Sequence, residues 1–192
     1  MATKSIMIVG VGGQGTLLAS RILGAALVSK GYDVKVSEVH GMSQRGGSVV
    51  TYVRYGESVA SPIIEKGEAD LLLSFEQLEA ARWLAYLKTD GKLIVNSQTI
   101  DPMTVISGAD TYPDGIIDAL CAAGADVTAI DALSLAVEAG SAKAVNVVLI
   151  GVLASKTDIP KDVWLDALRE TVPPKFLEMN LKAFELGWNY QG

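Results

Sequence analysis

Four glycines fall within six residues at Gly10-Val11-Gly12-Gly13-Gln14-Gly15, and this cluster separates two apolar stretches of different character. Upstream, Ser5-Ile6-Met7-Ile8-Val9 is a short β-branched and apolar run, the pattern of a strand buried on both faces of a parallel sheet. Downstream, residues 16–30 have only Ser20 and Arg21 as breaks in their apolar surface before the tail, and Gly31 supplies a helix stop. Glycine permits positive φ and close backbone approach, while free amides at a helix start attract a phosphate or carboxylate. The spacing satisfies G-x-G-x-x-G, and Glu38 sits near the end of the next expected strand. A dinucleotide-binding fold places its ribose-binding acid there, about 20 residues on. The motif alone leaves two readings open: a cofactor cradle, or glycines that only let the helix pack tightly on the sheet.

The remaining pattern predicts an α/β fold, a three-layer Rossmann-like sandwich around a mostly parallel sheet, with residues 1–192 forming a single domain. Residues 33–39 alternate as a second strand, a polar glycine loop covers 40–47, and 48–55 form a third strand with no helix before it. Residues 70–75 and 92–96 read as further central strands, joined by a helix over 76–88. On that helix Leu78, Ala81, Trp83, Leu84 and Ala85 are expected to face the sheet, and Glu76, Glu79 and Arg82 to face water. Residues 114–123 read as helix, 126–130 as strand and 132–139 as helix. Residues 144–154 are apolar around the whole circumference and are most simply a buried helix. Pro160 is placed in a first helical turn, followed by a stripe of Val163, Trp164, Ala167 and Leu168 that Pro173-Pro174 ends. Leu177, Leu181, Phe184 and Trp188 mark one face of a further helix.

Charge and cysteine content narrow the function classes. Lys and Arg number 16 against 22 Asp and Glu, a formal charge of −6, so there is no basic footprint for nucleic acid or an anionic membrane. Cys121 is the single cysteine, so neither a disulfide framework nor a thiolate cluster for zinc or iron and sulfur can be built within the sequence, and no metal site is expected. The first residues lack a secretory pattern, and the longest apolar run is well short of the ~20 residues that span a bilayer, which points to a cytoplasmic protein. At 49% apolar residues the composition is richer than a free monomer needs, and a partner surface follows.

A second loop, His40-Gly41-Met42-Ser43-Gln44-Arg45-Gly46-Gly47-Ser48, also brings together glycine, amide and cation. It begins beyond strand two as the first begins beyond strand one, so both are expected on one carboxyl edge of the sheet, lining one pocket. Arg45 is a natural fork for a phosphate or carboxylate, with a solvated turn or an ion pair to Glu38 as the equal alternative. Gln14, Ser43 and Gln44 supply oriented hydrogen bonds. The cradle residues are therefore Gly10, Gly12, Gly13, Gln14, Gly15, Gln44, Arg45, Gly46 and Gly47, and no catalytic residue is assigned. His40 reads as a loop hydrogen-bonder, and Cys121 as a small buried apolar side chain. Glu65, Glu68, Glu76 and Glu79 read as solvated, and Trp83, Trp164 and Trp188 as core or interface residues.

Gly-Val-Gly-Gly-Gln-Gly at 10–15 with Gln-Arg-Gly-Gly-Ser-Val at 44–49 resembles the gamma-type domain (domain III type) of the 2-oxoacid:ferredoxin oxidoreductases. The longer string 41–49 is most similar to the beta subunit of the indolepyruvate branch of that family. Ala69-Asp70-Leu71-Leu72, Leu78-Glu79-Ala80-Ala81-Arg82 with Tyr86-Leu87-Lys88, and residues 146–153 extend the likeness over essentially the whole chain. The resemblance implies oxidative decarboxylation of an aryl 2-oxoacid to an aryl-acetyl-CoA, with ferredoxin reduced. It implies thiamine diphosphate with Mg and 4Fe-4S clusters on a larger partner subunit, coenzyme A as co-substrate, a hetero-oligomer, and no activity from this chain alone. No Gly-Asp-Gly start of a thiamine-diphosphate metal motif is found here. Two rivals stand beside it: a self-contained NAD- or FAD-dependent oxidoreductase using Gly10, Gly12, Gly15 and Glu38, and a non-catalytic acyl-CoA or nucleotide-binding regulatory module.

Overall fold

The computed structural model describes residues 2–38 and 47–191. β1 (Lys4–Val11), β2 (Asp33–Glu38), β3 (Ser48–Gly56), β4 (Ala69–Ser74), β5 (Leu87–Asn96) and β6 (Asp126–Ile130) form one sheet in the order β2-β3-β1-β4-β5-β6. β1, β4, β5 and β6 run parallel, and β3 alone is antiparallel to its neighbours β1 and β2. The direct step from second to third strand thus inserts β3 between β2 and β1. It leaves the end of β2, the start of β3 and the end of β1 on the same edge.

Successive side chains of a strand point to opposite faces, so β1 sends Ile6 and Ile8 into one core and Met7 and Val9 into the other. The first core lies under α1 (Thr16–Ser29), α5 (Ala132–Ala139), α6 (Val145–Ser155), α7 (Lys161–Thr171) and α8 (Leu177–Trp188). The second lies under α2 (Gln77–Trp83) and α4 (Ile116–Ala122), while α3 (Met103–Ile106) is a single exposed turn beyond β5. The three-layer expectation is met. Among the described residues no helix is long and apolar enough to cross a membrane.

Every residue of α6 from Asn146 to Ala154 is buried, as its unbroken apolar circumference requires. α8 crosses it at backbone distance: a Cβ on Gly187 would stand 2.0 Å from the Val148 carbonyl oxygen, and one on Gly151 2.3 Å from that of Phe184. Two glycines facing each other make this crossing possible, and the stripe that buries α8 is Asn180, Ala183, Phe184 and Gly187.

Three expectations are corrected. The helix expected over 76–88 is α2 followed by a 3-10 turn at Leu84–Tyr86, because β5 begins at Leu87, paired with Ala69, well before the expected 92. Its orientation also differs: Ala81 and Ala85 are exposed, whereas Glu76 and Glu79 are 1% and 4% exposed. Cys121 is exposed rather than buried, since α4 packs through Ile116 and Leu120. Trp164 is fully buried in the core, while Trp83 and Trp188 are half-buried.

Candidate functional site

The first glycine loop leaves β1 and turns into α1. Gly13 and Gly15 hold φ of +102° and +85°, the left-handed region in which a Cβ is strained. At Gly15 the space is also taken, since a Cβ would meet the Asn146 amide nitrogen at 2.6 Å. That nitrogen donates to the Gly15 carbonyl at 3.3 Å, tying α6 to the loop. Among the described residues no side chain caps α1, whose first turn carries no acid; the Leu18 amide donates to the Gly15 carbonyl at 3.1 Å, and the amides of Thr16 and Leu17 precede it at the loop.

Gln14, expected to contact a ligand, is hydrogen-bonded within the protein while lining the edge of the loop. Its Oε1 accepts from the Val11 amide at 2.7 Å, and its Nε2 donates to the Phe75 carbonyl at 2.9 Å and to Gln98 Oε1 at 3.3 Å. Asn96 joins the same knot by donating to the Phe75 carbonyl at 3.1 Å while accepting from the Ala132 amide at 3.2 Å. A set of side-chain amides thus fastens the loop to the ends of β4 and β5 and to the start of α5. With the Gln14 side chain so engaged, what the loop leaves open at this edge is backbone.

The second loop meets the first through its last residue: the Gly12 amide donates to the Gly47 carbonyl at 2.9 Å. Gly10, Gly12, Gly13, Gln14, Gly15 and Gly47 are therefore brought together on the carboxyl edge, as the sequence predicts. Gln44, Arg45 and Gly46, with His40 and Ser43, lie outside the described residues. Two clefts flank the loop. One of about 290 Å³ lies between Gly12, Gly13, Gly15, Thr16 and Leu17 on one side and Glu38 and 49–51 on the other. The other, of about 470 Å³, lies between Gly13–Gly15 and Gln98, Leu133, Lys143 and Asn146.

Glu38 does not occupy the place of a ribose-binding acid. In a dinucleotide-binding fold the acid-bearing strand lies directly beside the glycine strand. Here β3 intervenes, so Glu38 stands two strands away, about 10 Å at the usual spacing. Its carboxylate accepts from Ser20 Oγ at 2.5 Å.

Sequence reasoning missed the buried acids at the start of α2. Glu76 caps the helix by accepting from the Glu79 amide at 2.9 Å, and it also accepts from the Ile100 amide at 3.2 Å and from the Tyr112 hydroxyl. Burial, and then the bond to Glu76, raise Tyr112 above its ordinary value. Glu79 accepts from Ser48 Oγ, from Arg82 Nε at 3.1 Å and from Trp83 Nε1 at 3.3 Å. The available signal was positional: a carboxylate immediately after the buried strand 70–75, with a second three residues on, has the spacing of a helix cap rather than of a solvated face.

The start of a helix with backbone amides at its head attracts an anionic group, and that is the chemistry the described part of this edge offers. Matches to known proteins place the chain in a family. Residues 5–190 match the pyruvate ferredoxin/flavodoxin oxidoreductase family, and the chain belongs to it. It is 44% identical to indolepyruvate oxidoreductase subunit IorB of Thermococcus kodakarensis, over 97% of this chain and 95% of that one. It is 29% identical to ketoisovalerate oxidoreductase subunit VorA of Methanothermobacter marburgensis, over 95% of this chain but 35% of that longer one. Its fold superposes on the gamma subunit of a keto/oxoacid ferredoxin oxidoreductase from Geobacter sulfurreducens with a TM-score of 0.75, at 27% identity, covering 98% and 95% of the two chains.

Proposed function

We propose that this chain is the small subunit of a cytoplasmic indolepyruvate-type 2-oxoacid:ferredoxin oxidoreductase, acting as one domain that completes an active site carried by a larger partner. The observation that supports it best is the end-to-end likeness to indolepyruvate oxidoreductase subunits, over 97% of the chain. A cradle made of backbone amides agrees with a role in holding and positioning. Exposed Leu17 and Leu133 border the two clefts, and exposed Met103 lies on α3 beyond β5, as suits a face that a partner covers.

In this reading the partner holds thiamine diphosphate, Mg and the 4Fe-4S clusters. When bound there, these groups supply an electron sink for the decarboxylated oxoacid and a route for electrons to ferredoxin. This chain's part is to present the amides of Gly13 and Gly15 and of Gly46 and Gly47, with Gln44 and Arg45 as polar contacts, toward coenzyme A, while the Gly12 amide holds the Gly47 carbonyl. Gln14 and Gly10 support that cradle from beneath.

The test is co-expression with the larger subunit, followed by dye reduction with indolepyruvate and coenzyme A. The purified pair is expected to turn over, and each chain alone to be inactive. Turnover by the isolated chain with NADH or FAD would overturn the reading, as would full activity of the partner after this chain is removed.

A further inference from the structure

The buried carboxylate of Glu79 has no place in the function derived so far, and it is connected to the cradle. A carboxylate at 4% exposure is costly unless it is paired and hydrogen-bonded. Glu79 is satisfied on both oxygens: Oε1 by Arg82 Nε at 3.1 Å, and Oε2 by Ser48 Oγ and by Trp83 Nε1 at 3.3 Å. Arg82 is half-exposed and balances the charge from the solvent side. Trp83 Nε1 also lies 3.4 Å from Ser48 Oγ, so the serine is gripped from two sides.

Ser48 is the first residue of β3, directly after Gly47, and it pairs in register with Val11, the last residue of β1. The Gly47 carbonyl in turn accepts from the Gly12 amide at 2.9 Å. One continuous run therefore leads from a charge on α2, through Ser48 and Gly47, to the backbone of the first glycine loop. A glycine segment has no side chains to fix itself by packing, so its geometry must come from outside, and this run supplies it from the face opposite α1.

We propose that Glu79 is a positioning residue for the cradle: by holding Ser48 it fixes the Gly47 carbonyl and thereby the spacing of the two glycine loops. The part that concerns coenzyme A rests on the function proposed above. The structural part does not.

The test uses Glu79→Ala, Ser48→Ala and Glu79→Gln in the full chain and in the two-subunit complex. A glutamine oxygen can still accept from Ser48, so it rescues. In the chain alone, amide hydrogen exchange at Gly12 is expected to quicken about tenfold in both alanine variants, the scale of one lost hydrogen bond, and to stay within about twofold in the glutamine variant. In the complex the alanine variants are expected to raise the KM for coenzyme A about tenfold while kcat and subunit assembly stay within about twofold. The double alanine variant should match either single one, because both remove the same connection. Unchanged exchange at Gly12, or an additive double variant, overturns the proposal. Ser48→Ala decides the matter should Glu79→Ala fail to fold. An unchanged KM with altered exchange overturns the link to binding. A wild-type complex that makes no use of coenzyme A sinks the functional reading, while the exchange result still decides the structural one.

Discussion

Gly15 answers two demands at once, a φ of +85° and a space already filled by the Asn146 amide at 2.6 Å from a would-be Cβ. Gly15→Ala is therefore expected to lower stability by at least about 1–2 kcal/mol, the cost of a left-handed alanine, with the displaced Asn146 adding to it. Gly24 in the middle of α1 has open space and no such φ, so Gly24→Ala should instead raise stability by about 0.5–1 kcal/mol. Urea titration of the two variants side by side checks both signs. At this scale the sequence showed where the cradle is but not how it is held. Gln14 follows a glycine and precedes a helix, which reads as ligand contact. Its partners, Phe75 and Gln98, are 61 and 84 residues away, and such closure is invisible before the strands are ordered. The same holds for Glu79, whose partner Ser48 lies 31 residues upstream on a strand of opposite direction.

Helices and strands were legible where one period dominates. β1, α1, β6, α5 and α6 stand within a residue or two of their expected bounds, since each carries a clear apolar run or stripe. α2 was not, because its apolar residues continue into β5 without a break and only pairing with β4 marks the change. The crossing of α6 and α8 was likewise hidden: Gly151 and Gly187 look like weak points in two helices and are the contact itself. Gly187→Ala, with its Cβ 2.0 Å from the Val148 oxygen, is expected to force the helices apart and cost about 3 kcal/mol or more, read as a lowered midpoint in calorimetry. α5 offers a gentler test through its cap, where Asp131 Oδ1 accepts from the Ser134 amide at 3.1 Å and Oδ2 from Ser134 Oγ at 2.5 Å. The Ser134 side-chain bond, then its backbone bond, hold Asp131 below the ordinary carboxylate value of 3.8. A lowered folded value means a contribution that is complete above the unfolded value and is lost as pH falls through the folded one. Asp131→Ala should thus cost about 1 kcal/mol at neutral pH, and the gap to wild type should narrow as denaturation is repeated at successively lower pH below about 4.

For the whole molecule, the family likeness read from two short glycine strings holds over residues 5–190, and the mostly parallel sheet follows. What the strings could not give is the place of β3. The absence of a helix before it was plain, but whether it joins an edge or enters the sheet depends on its pairing with β1, in which Val50 faces Val9 and Ile8 meets Thr51. That placement separates this chain from a nucleotide-binding dehydrogenase with nearly the same first motif. It moves Glu38 two strands from the glycine strand and puts Gly47 beside Gly12.

The backbone contact between α6 and α8 also bears on how the chain must close on itself. α6 is apolar on all sides, yet one of its sides is closed only by α8, which begins at Leu177, more than twenty residues after α6 ends at Ser155. Until that later segment docks, α6 has a naked flank, and a glycine-notched surface of this kind fits its own partner helix better than any substitute. A chain cut after Thr171 would therefore keep that flank bare, and it should collect in aggregates where the full chain stays in solution.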